Sequence, residues 1–297
     1  MTERTPAHPS AYDVLASPYR LLVKCPDGPG IVAAVTGFLF EFGANIINAN
    51  QHSTDPRDGS FFLRLEFSLD RPLTRDEFAA GFQPAVAERF DMQWTLTDGR
   101  PKRLALLVSK YDHCLVDLLW RCQVGSLNAV VPVVVSNHAD LESRATMFGV
   151  PFVHLPVSNA NRTEQENALH DLMLEQRIDA IVLARYMQVL SPTFVSRWPN
   201  LIINIHHSFL PAFSGASPYA AAFRRGVKIV GATAHYVTND LDEGPIIEQE
   251  VVRVTHADSV ADLTRLGRDV ERQTLARAVE FHLADRIVVM GNTTLIL

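Results

Sequence analysis

Several features that define common protein classes are scarce in this chain of 297 residues. It has only three cysteines, Cys25, Cys114 and Cys122, and they form no CxxC pair, so a disulfide framework is not indicated and a cytoplasmic location is expected. Basic residues are not in excess, because 27 Lys plus Arg stand against 33 Asp plus Glu, which disfavours a nucleic-acid partner. An uncharged span at 122–139 is interrupted by polar residues, so no membrane segment is predicted.

The sequence also lacks the motifs of nucleotide, serine-hydrolase and zinc sites. No G-x-G-x-x-G follows the apolar run at 104–108, and no G-x-x-x-x-G-K-[ST] phosphate loop occurs anywhere. There is no G-x-S-x-G turn for a nucleophilic serine and no H-E-x-x-H zinc motif. We therefore expect no metal and no tightly bound cofactor, and any catalysis has to come from other side chains.

What the chain does contain is an N-terminal stretch whose hydrophobic pattern changes several times. Apolar residues alternate with polar ones along 61–69, as in a half-buried strand, and recur at helical spacing along 29–42. The predicted strands are 19–25, 45–53, 61–69 and 92–96, and the predicted helices are 29–42 and the segment that follows the T-x-x-E capping box of Thr74 and Glu77. This order predicts a ferredoxin-like βαββαβ domain at 18–98, preceded by a flexible tail at 1–17.

From residue 103 onward, short and almost wholly apolar runs are separated by helical stretches. Such runs are typical of strands covered on both faces, as in a parallel sheet. The predicted strands are 104–108, 130–135, 178–183, 201–205, 227–237, 246–254 and 286–290, and the predicted helices are 114–122, 141–148, 164–176 and 259–284. Their alternation predicts a doubly wound, mostly parallel α/β domain at 103–297, joined to the first domain by a linker at 99–102.

The strongest chemical signal lies where the apolar run at 201–205 ends. Asn204 and His206 are two residues apart on this strand, so their side chains project from the same face, roughly 7 Å apart. In open α/β sheets, ligands bind at the carboxyl ends of the strands. An amide and an imidazole at such an edge therefore indicate a catalytic site, whereas the neighbouring His207 is interpreted as a turn residue.

The segment CPDGPGIVAAVTGFLFEFGANI at 25–46 resembles the signature of the ACT domain, a small-molecule-sensing module attached to many metabolic enzymes. This resemblance implies an amino-acid effector and a symmetric homo-oligomer, either a dimer or a tetramer. The residues that it nominates for effector binding are Asp27, Gly28, Gly30, Asn45 and Ile46. The alternative interpretation is that Gly28, Pro29 and Gly30 only shape a turn.

A second resemblance covers residues 103–290. The pattern N-x-H-x-S-x-L-P beginning at Asn204, followed by D-x-G-P beginning at Asp242, is similar to that of the folate-dependent formyltransferases. The runs GATAHYVT at 231–238 and LDEGPIIEQ at 241–249, together with the ACT-like segment, resemble most closely the formyltetrahydrofolate deformylases. The resemblance implies hydrolysis of 10-formyltetrahydrofolate to tetrahydrofolate and formate, with the folate as substrate rather than as a bound cofactor.

The resemblance also nominates individual side chains for the reaction. We hypothesise that Asn204 donates to the oxyanion of the tetrahedral intermediate, while ionised Asp242 orients water and stabilises His206 as an imidazolium. His206 then either adds to the stabilisation of the oxyanion or transfers the proton. The residues expected to bind the folate are Arg185, Met187, Val189, Asp240, Leu241 and Glu243, and those expected to support the catalytic residues from behind are His235, Tyr236 and Ser208.

Two positions depart from the family pattern, and two other functions remain open. Members commonly have lysine and histidine in the loop where this chain has Ser217 and Ala220, which implies weaker activity or a shifted substrate. The same Asn, His and Asp set would serve transfer of the formyl group to an amine, although the first βα turn at 109–115 lacks the glycines of a phosphate cradle. A catalytically weak amino-acid sensor is the second alternative, and the intact catalytic set argues against it.

Overall fold

The computed structural model describes residues 18–55, 57–210 and 218–297. The chain divides into two compact units, one up to Arg100 and one over Pro101–Ile296. The predicted tail at 1–17 and the departure at Ser217 lie outside the described residues. None of the helices in the described part is long and apolar enough to cross a membrane.

The first unit has the predicted βαββαβ order, which confirms the ferredoxin-like architecture. Its elements are β1 (Tyr19–Pro26), α1 (Ile31–Glu41), β2 (Asn45–Ser53), β3 (Ser60–Ser68), α2 (Arg75–Phe82) and β4 (Gln93–Thr97). The strands form one antiparallel sheet in the order β2-β3-β1-β4. Thr74 caps α2 as predicted, because its hydroxyl accepts from the backbone N–H of Glu77.

Aromatic side chains fill the space between this sheet and its helices. Phe38 lies edge-on to both Phe78 and Phe82, with ring centroids 5.5 and 5.3 Å apart. Phe78 and Phe82 are fully buried, as the helical spacing predicts. After α2 the chain continues in a π-helical turn and a 3₁₀ turn over 83–90, which the hydrophobic pattern did not predict.

The second unit is built around a seven-stranded sheet with the order β11-β10-β9-β8-β5-β6-β7. Its strands are β5 (Lys102–Val108), β6 (Ala129–Ser136), β7 (Phe152–His154), β8 (Ala180–Leu183), β9 (Ile202–His206), β10 (Ile229–Tyr236) and β11 (Ile246–Arg253). The five strands from β9 to β7 are parallel, and β10 and β11 add on antiparallel, so the mostly parallel prediction is confirmed. A separate hairpin joins β12 (Ile287–Met290) to β13 (Thr293–Ile296); β7 and β13 are short strands that the pattern did not predict.

Helices cover both faces of this sheet. They are α3 (His113–Gln123), α4 (Glu142–Met147), α5 (Arg162–Glu175), α6 (Pro192–Val195), α7 (Pro218–Arg225) and α8 (Val260–Leu283). Alternate residues of β5 enter different cores: Leu104 and Leu106 pack with α3 and α8, whereas Ala105 and Leu107 pack with α5. The predicted doubly wound arrangement, with apolar strands buried on both faces, is therefore confirmed.

The order of the strands determines where a ligand can bind. β5 lies between β6 and β8; the chain first runs outward to β7 and then returns to β8 and β9. At such a reversal the connections leave in opposite directions, so a crevice opens at the carboxyl ends of the central strands. In this sheet that crevice lies beyond the ends of β5, β8 and β9.

Candidate active site

The carboxyl end of β9 and its antiparallel neighbour β10 bring three polar side chains together. Asn204 and His206 project from the same face of β9, as predicted, and His235 of β10 is the residue paired directly with Asn204. The Asn204 Nδ2 atom lies 3.2 Å from the Nε2 atom of His235. A register shift between Ala234 and His235 in the pairing with β11 marks an irregularity of the kind that re-aims side chains near active sites.

Asp242 reaches the same point from the turn that follows β10. Gly244 makes this turn possible, because a Cβ at that position would lie 1.8 Å from the carbonyl oxygen of Tyr236. The Tyr236 N–H in turn donates to the carbonyl of Pro245 at 3.0 Å, so the turn folds back against the end of β10. Asp242 itself adopts a left-handed backbone with φ of 57°, a conformation tolerated best by Asp, Asn and Gly. The turn thereby holds the carboxylate over the end of β9.

The Asp242 carboxylate contacts the two imidazole rings. Its Oδ2 atom is 3.1 Å from Nδ1 of His206, and its Oδ1 atom is 3.6 Å from Nε2 of His235. The hydrogen bond from His206 holds the pKa of Asp242 well below its usual range, so the group is ionised at neutral pH. His206 therefore donates from Nδ1, which leaves its Nε2 atom for the reaction.

The remaining ring atoms have distinct partners. His206 is only 7% exposed, and its Nε2 atom makes no hydrogen bond within the described part of the chain. The Nδ1 atom of His235 lies 2.9 Å from the carbonyl oxygen of Tyr236, to which it donates. With Nδ1 donating to Tyr236, the His235 Nε2 atom accepts from the Asn204 amide and orients it. The contact with His235 thus fixes the orientation of the Asn204 amide, while the Nε2 atom of His206 stays available to a substrate or water.

A cavity of about 350 Å³, called here the catalytic cavity, lies next to these side chains. Asn204, His206, His235 and Asp242 all line it. Five of the six residues predicted to bind the folate also line it, namely Arg185, Met187, Val189, Asp240 and Leu241. The structure therefore brings the predicted catalytic and folate-binding residues to one place, apart from Glu243.

Among the described residues, three that were predicted for this site do not line the catalytic cavity. Glu243 lies in the same turn as Asp242 but is not part of the cavity wall. Tyr236 points to the other face of β10, where its hydroxyl lies 2.8 Å from Nδ1 of His282. Ser208 is buried beyond β9, and its carbonyl accepts from the Thr233 hydroxyl at 3.0 Å. Because successive strand residues face opposite sides, His235 and Tyr236 could not both support the site.

The loop after β8, residues 185–191, forms one wall of the cavity and is held from several sides. Arg162 donates through Nη1 to the carbonyl of Val189 at 2.7 Å. Ser191 donates both its N–H and its hydroxyl to the carboxylate of Glu166. The Ser109 hydroxyl accepts from the N–H of Met187 at 2.9 Å. A loop fixed in this way can present a preformed surface to a ligand.

Sequence reasoning missed a buried carboxylate behind this wall. Glu271 of α8 is 1% exposed and accepts from His113 Nε2 at 2.7 Å and from the Tyr219 hydroxyl at 2.6 Å. The Arg185 Nε atom lies 3.5 Å from the same carboxylate. An acidic residue on the buried stripe of a helix, next to Val270 and Leu275, is the signal that could have revealed it.

The donor atoms of His113, Cys114 and Glu271 lie within 4.8 Å of one another, which raises the question of a metal site. The His113 Nε2 atom and the Glu271 carboxylate, two of the three ligand groups, are hydrogen-bonded to each other at 2.7 Å. Glu271 is already committed to a guanidinium and two hydrogen-bond donors. This cluster is therefore an unsuitable metal site.

The residues nominated for effector binding do not form one site within a single chain. Asp27, Gly28 and Gly30 lie in the turn between β1 and α1, and the Ser53 hydroxyl, at the last residue of β2, donates to the Asp27 carboxylate. Asn45 and Ile46 begin β2, so about eight residue steps, or roughly 26 Å, separate them from Ser53. All five residues could contribute to one site only if some of them came from one copy of the chain and the rest from a second copy.

Comparison with known proteins identifies both units. The model of the ACT domain family matches residues 19–80, and the model of the formyl transferase family matches residues 102–279. A protein of Bacillus subtilis named formyltetrahydrofolate deformylase is 52% identical over 278 residues, which are 93% of each chain.

Solved structures give the same result. A formyltetrahydrofolate deformylase from Pseudomonas syringae superposes with a TM-score of 0.90 at 44% identity, covering 96% of both chains. A glycinamide ribonucleotide transformylase from Symbiobacterium toebii covers 66% of this chain and 94% of its own, with a TM-score of 0.62 and 34% identity. The chain belongs to the formyltetrahydrofolate deformylase family, in which an ACT domain precedes a formyltransferase-type domain.

Proposed function

We propose that this protein hydrolyses 10-formyltetrahydrofolate to tetrahydrofolate and formate. The observation that carries the proposal is the His206–Asp242 pair, with Asn204 beside it, at the wall of the catalytic cavity. In the overall reaction one water adds, the bond between the formyl carbon and N10 breaks, and N10 gains a proton. Formate and one further proton leave at neutral pH.

In the first step, the Nε2 atom of His206 removes a proton from the attacking water. The negative charge of Asp242, 3.1 Å from Nδ1, stabilises the imidazolium that forms. As the water oxygen bonds to the formyl carbon, negative charge develops on the formyl oxygen. The Asn204 N–H that is not directed at His235 donates to this oxyanion, an interaction worth about 2.7–4 kcal/mol in comparable sites.

In the second step, the tetrahedral intermediate collapses. The imidazolium of His206 returns its proton through Nε2 to N10, which makes the amine a good leaving group. The bond between the formyl carbon and N10 then breaks, and His206 is again neutral. Asp242 keeps its charge throughout, because its pKa lies well below its usual range.

The folate ring system fits against the loop walls of the catalytic cavity. Met187, Val189 and Leu241 line the cavity, although they are 55%, 54% and 66% exposed. Apolar side chains exposed at a cavity mouth favour a flat heteroaromatic ligand, which would cover them. Arg185 lies in the same wall, where its Nε atom is 3.5 Å from the buried Glu271 carboxylate.

We further propose that the N-terminal domain binds an amino-acid effector and that the chain forms a homo-oligomer. The match of residues 19–80 to the ACT domain family supports both ideas, since two copies related by symmetry would share an interface at which an effector could bind. The alternative activity, transfer of the formyl group to an amine, is disfavoured by the segment 109–113, which has no glycine to cradle a phosphate.

The test is to incubate the purified full-length protein with 10-formyltetrahydrofolate and to measure tetrahydrofolate and formate. We expect equal amounts of both products without any acceptor amine, and no increase when amines are added. Turnover that depends on an amine, or release of tetrahydrofolate without formate, would refute the hydrolase proposal. Repeating the assay with free amino acids tests the effector, because an effector changes the rate without appearing among the products.

A further inference from the structure

A second cavity, of about 260 Å³, lies behind the wall of the catalytic cavity. Arg185, Met187 and His207 line both, so the two cavities share a wall. His207 follows the catalytic His206 directly, and the two rings lie edge-to-face with centroids 5.1 Å apart. Whatever occupies the second cavity therefore lies close to the reacting atoms but outside the space proposed for the folate.

The shared wall carries two buried nitrogen atoms, one on Arg185 and one on His207. The Nε atom of Arg185 and the Nδ1 atom of His207 make no hydrogen bond within the described part of the chain. Arg185 is only 9% exposed, and buried polar groups of this kind are nearly always hydrogen-bonded in folded proteins. The Arg185 Nε atom lies 3.5 Å from the Glu271 carboxylate, an ion-pair contact without a hydrogen bond. A guanidinium can only donate, so a ligand that binds to this wall through an arginine supplies an acceptor.

Charge indicates what kind of acceptor fits. The guanidinium groups of Arg185 and Arg268 lie 5.2 and 5.6 Å from the ring of Tyr111, and both arginines line the second cavity. The single carboxylate there, Glu271, is already used by His113, Tyr219 and Arg185. Burial, reinforced by the charge of Arg185, lowers the pKa of His207 to about 4, so this ring is neutral at pH 7. Two cations against one occupied carboxylate favour a small anion.

Tyr219 and Ala220 shape the opening. The Tyr219 hydroxyl reaches Glu271 across Gly267, where a Cβ would lie 2.1 Å from that oxygen, so the tyrosine lies flat against α8. Ala220, one of the two departures from the family pattern, lines the same cavity with a small side chain. Arg268 is exposed at the surface, which leaves the second cavity accessible from solvent.

We propose that the second cavity binds a small carboxylate, and that its occupant in turnover is the formate released at His206. The inference rests on the proposed hydrolysis, which produces formate while tetrahydrofolate still fills the catalytic cavity. Formate carries one negative charge and two acceptor oxygens, which match the guanidinium donors of Arg268 and the second positive charge in the lining, that of Arg185. The second cavity thus provides an exit route for formate that is separate from the space occupied by tetrahydrofolate.

The binding test uses the full-length protein without folate. ¹³C-formate is titrated at constant ionic strength, adjusted with potassium chloride, and its NMR line width is measured. We expect the dissociation constant to rise about threefold in Arg268→Gln and about tenfold in Arg268→Glu, which are the effects of losing and reversing an exposed charge. The matched control is Arg265→Gln, an exposed arginine one helical turn earlier, which should bind formate like the wild type.

A kinetic measurement separates this site from the catalytic cavity. Added formate should inhibit turnover in a way that excess 10-formyltetrahydrofolate does not relieve, because the two ligands occupy different cavities. Competitive inhibition, or equal formate affinity in all four proteins, would overturn the proposal. Formate binding with the expected Arg268 dependence but without hydrolysis would instead refute the proposed function and leave the carboxylate site standing.

Discussion

Replacing Asp242 by asparagine is the most direct test of the proposed chemistry. The Asp242 Oδ2 and His206 Nδ1 atoms are 3.1 Å apart, so at an effective dielectric constant of about 20 the carboxylate stabilises an imidazolium by about 5 kcal/mol. The Asp242 side chain is 25% exposed, and solvent screening reduces this to about 3 kcal/mol. At 1.36 kcal/mol for each factor of ten, Asp242→Asn should lower kcat roughly 10²-fold.

The assay is steady-state release of formate from 10-formyltetrahydrofolate, with kcat and KM determined separately. KM should change little, because the Asp242 charge acts on His206 rather than on the bound substrate. Asp140→Asn, which makes the same change at an exposed position of the same domain, is the control and should keep wild-type kinetics. A kcat for Asp242→Asn within about threefold of the wild type would show that the pair does not stabilise the transition state.

Three further substitutions test the supports of the site and of the fold. Arg162→Ala removes the 2.7 Å hydrogen bond to the carbonyl of Val189, so KM for the folate should rise about fivefold in steady-state kinetics, and a matching fall in kcat would contradict this role. Gly244→Ala would place a Cβ 1.8 Å from the carbonyl oxygen of Tyr236, so thermal denaturation should show a strongly destabilised protein; a melting temperature within about 2 °C of the wild type would refute the packing argument. Burial lowers the pKa of His282 from 6.5 to about 4. Between these two pH values the unfolded chain binds a proton at His282 and the folded chain does not, so the free energy of unfolding falls as pH drops from 6.5 toward 4. In urea unfolding, His282→Asn should lose roughly 2 kcal/mol less than the wild type between about pH 7 and about pH 5, and equal losses would count against this assignment.

Much of the fold could be predicted because it depends on local hydrophobic periodicity. The runs at 104–108 and 130–135 are apolar on both faces, and this pattern alone distinguishes buried parallel strands from the half-buried strand at 61–69. The short strand β7 and the irregular turns at 83–90 were missed, since three residues carry no period and a π-helical turn leaves no clear pattern.

The candidate site could be predicted only in part. Asn204 and His206 share a face by strand geometry, so their proximity follows from the sequence. The contact of Asp242 with His206 bridges 36 residues, and family resemblance rather than spacing suggested it. Glu271 stayed hidden because a single acidic residue on an apolar stripe does not show what it pairs with.

The sequence by itself determined the two domain types, the strand that carries Asn204 and His206, and the absence of nucleotide motifs, because each depends on neighbouring residues. Tertiary structure alone decided which of His235 and Tyr236 faces the site, since the register between β9 and β10 sets this. It also placed Asp27 against Ser53, at the end of β2 opposite Asn45, and brought Arg185 next to Glu271. These contacts join residues far apart in the chain, and only packing brings such residues together.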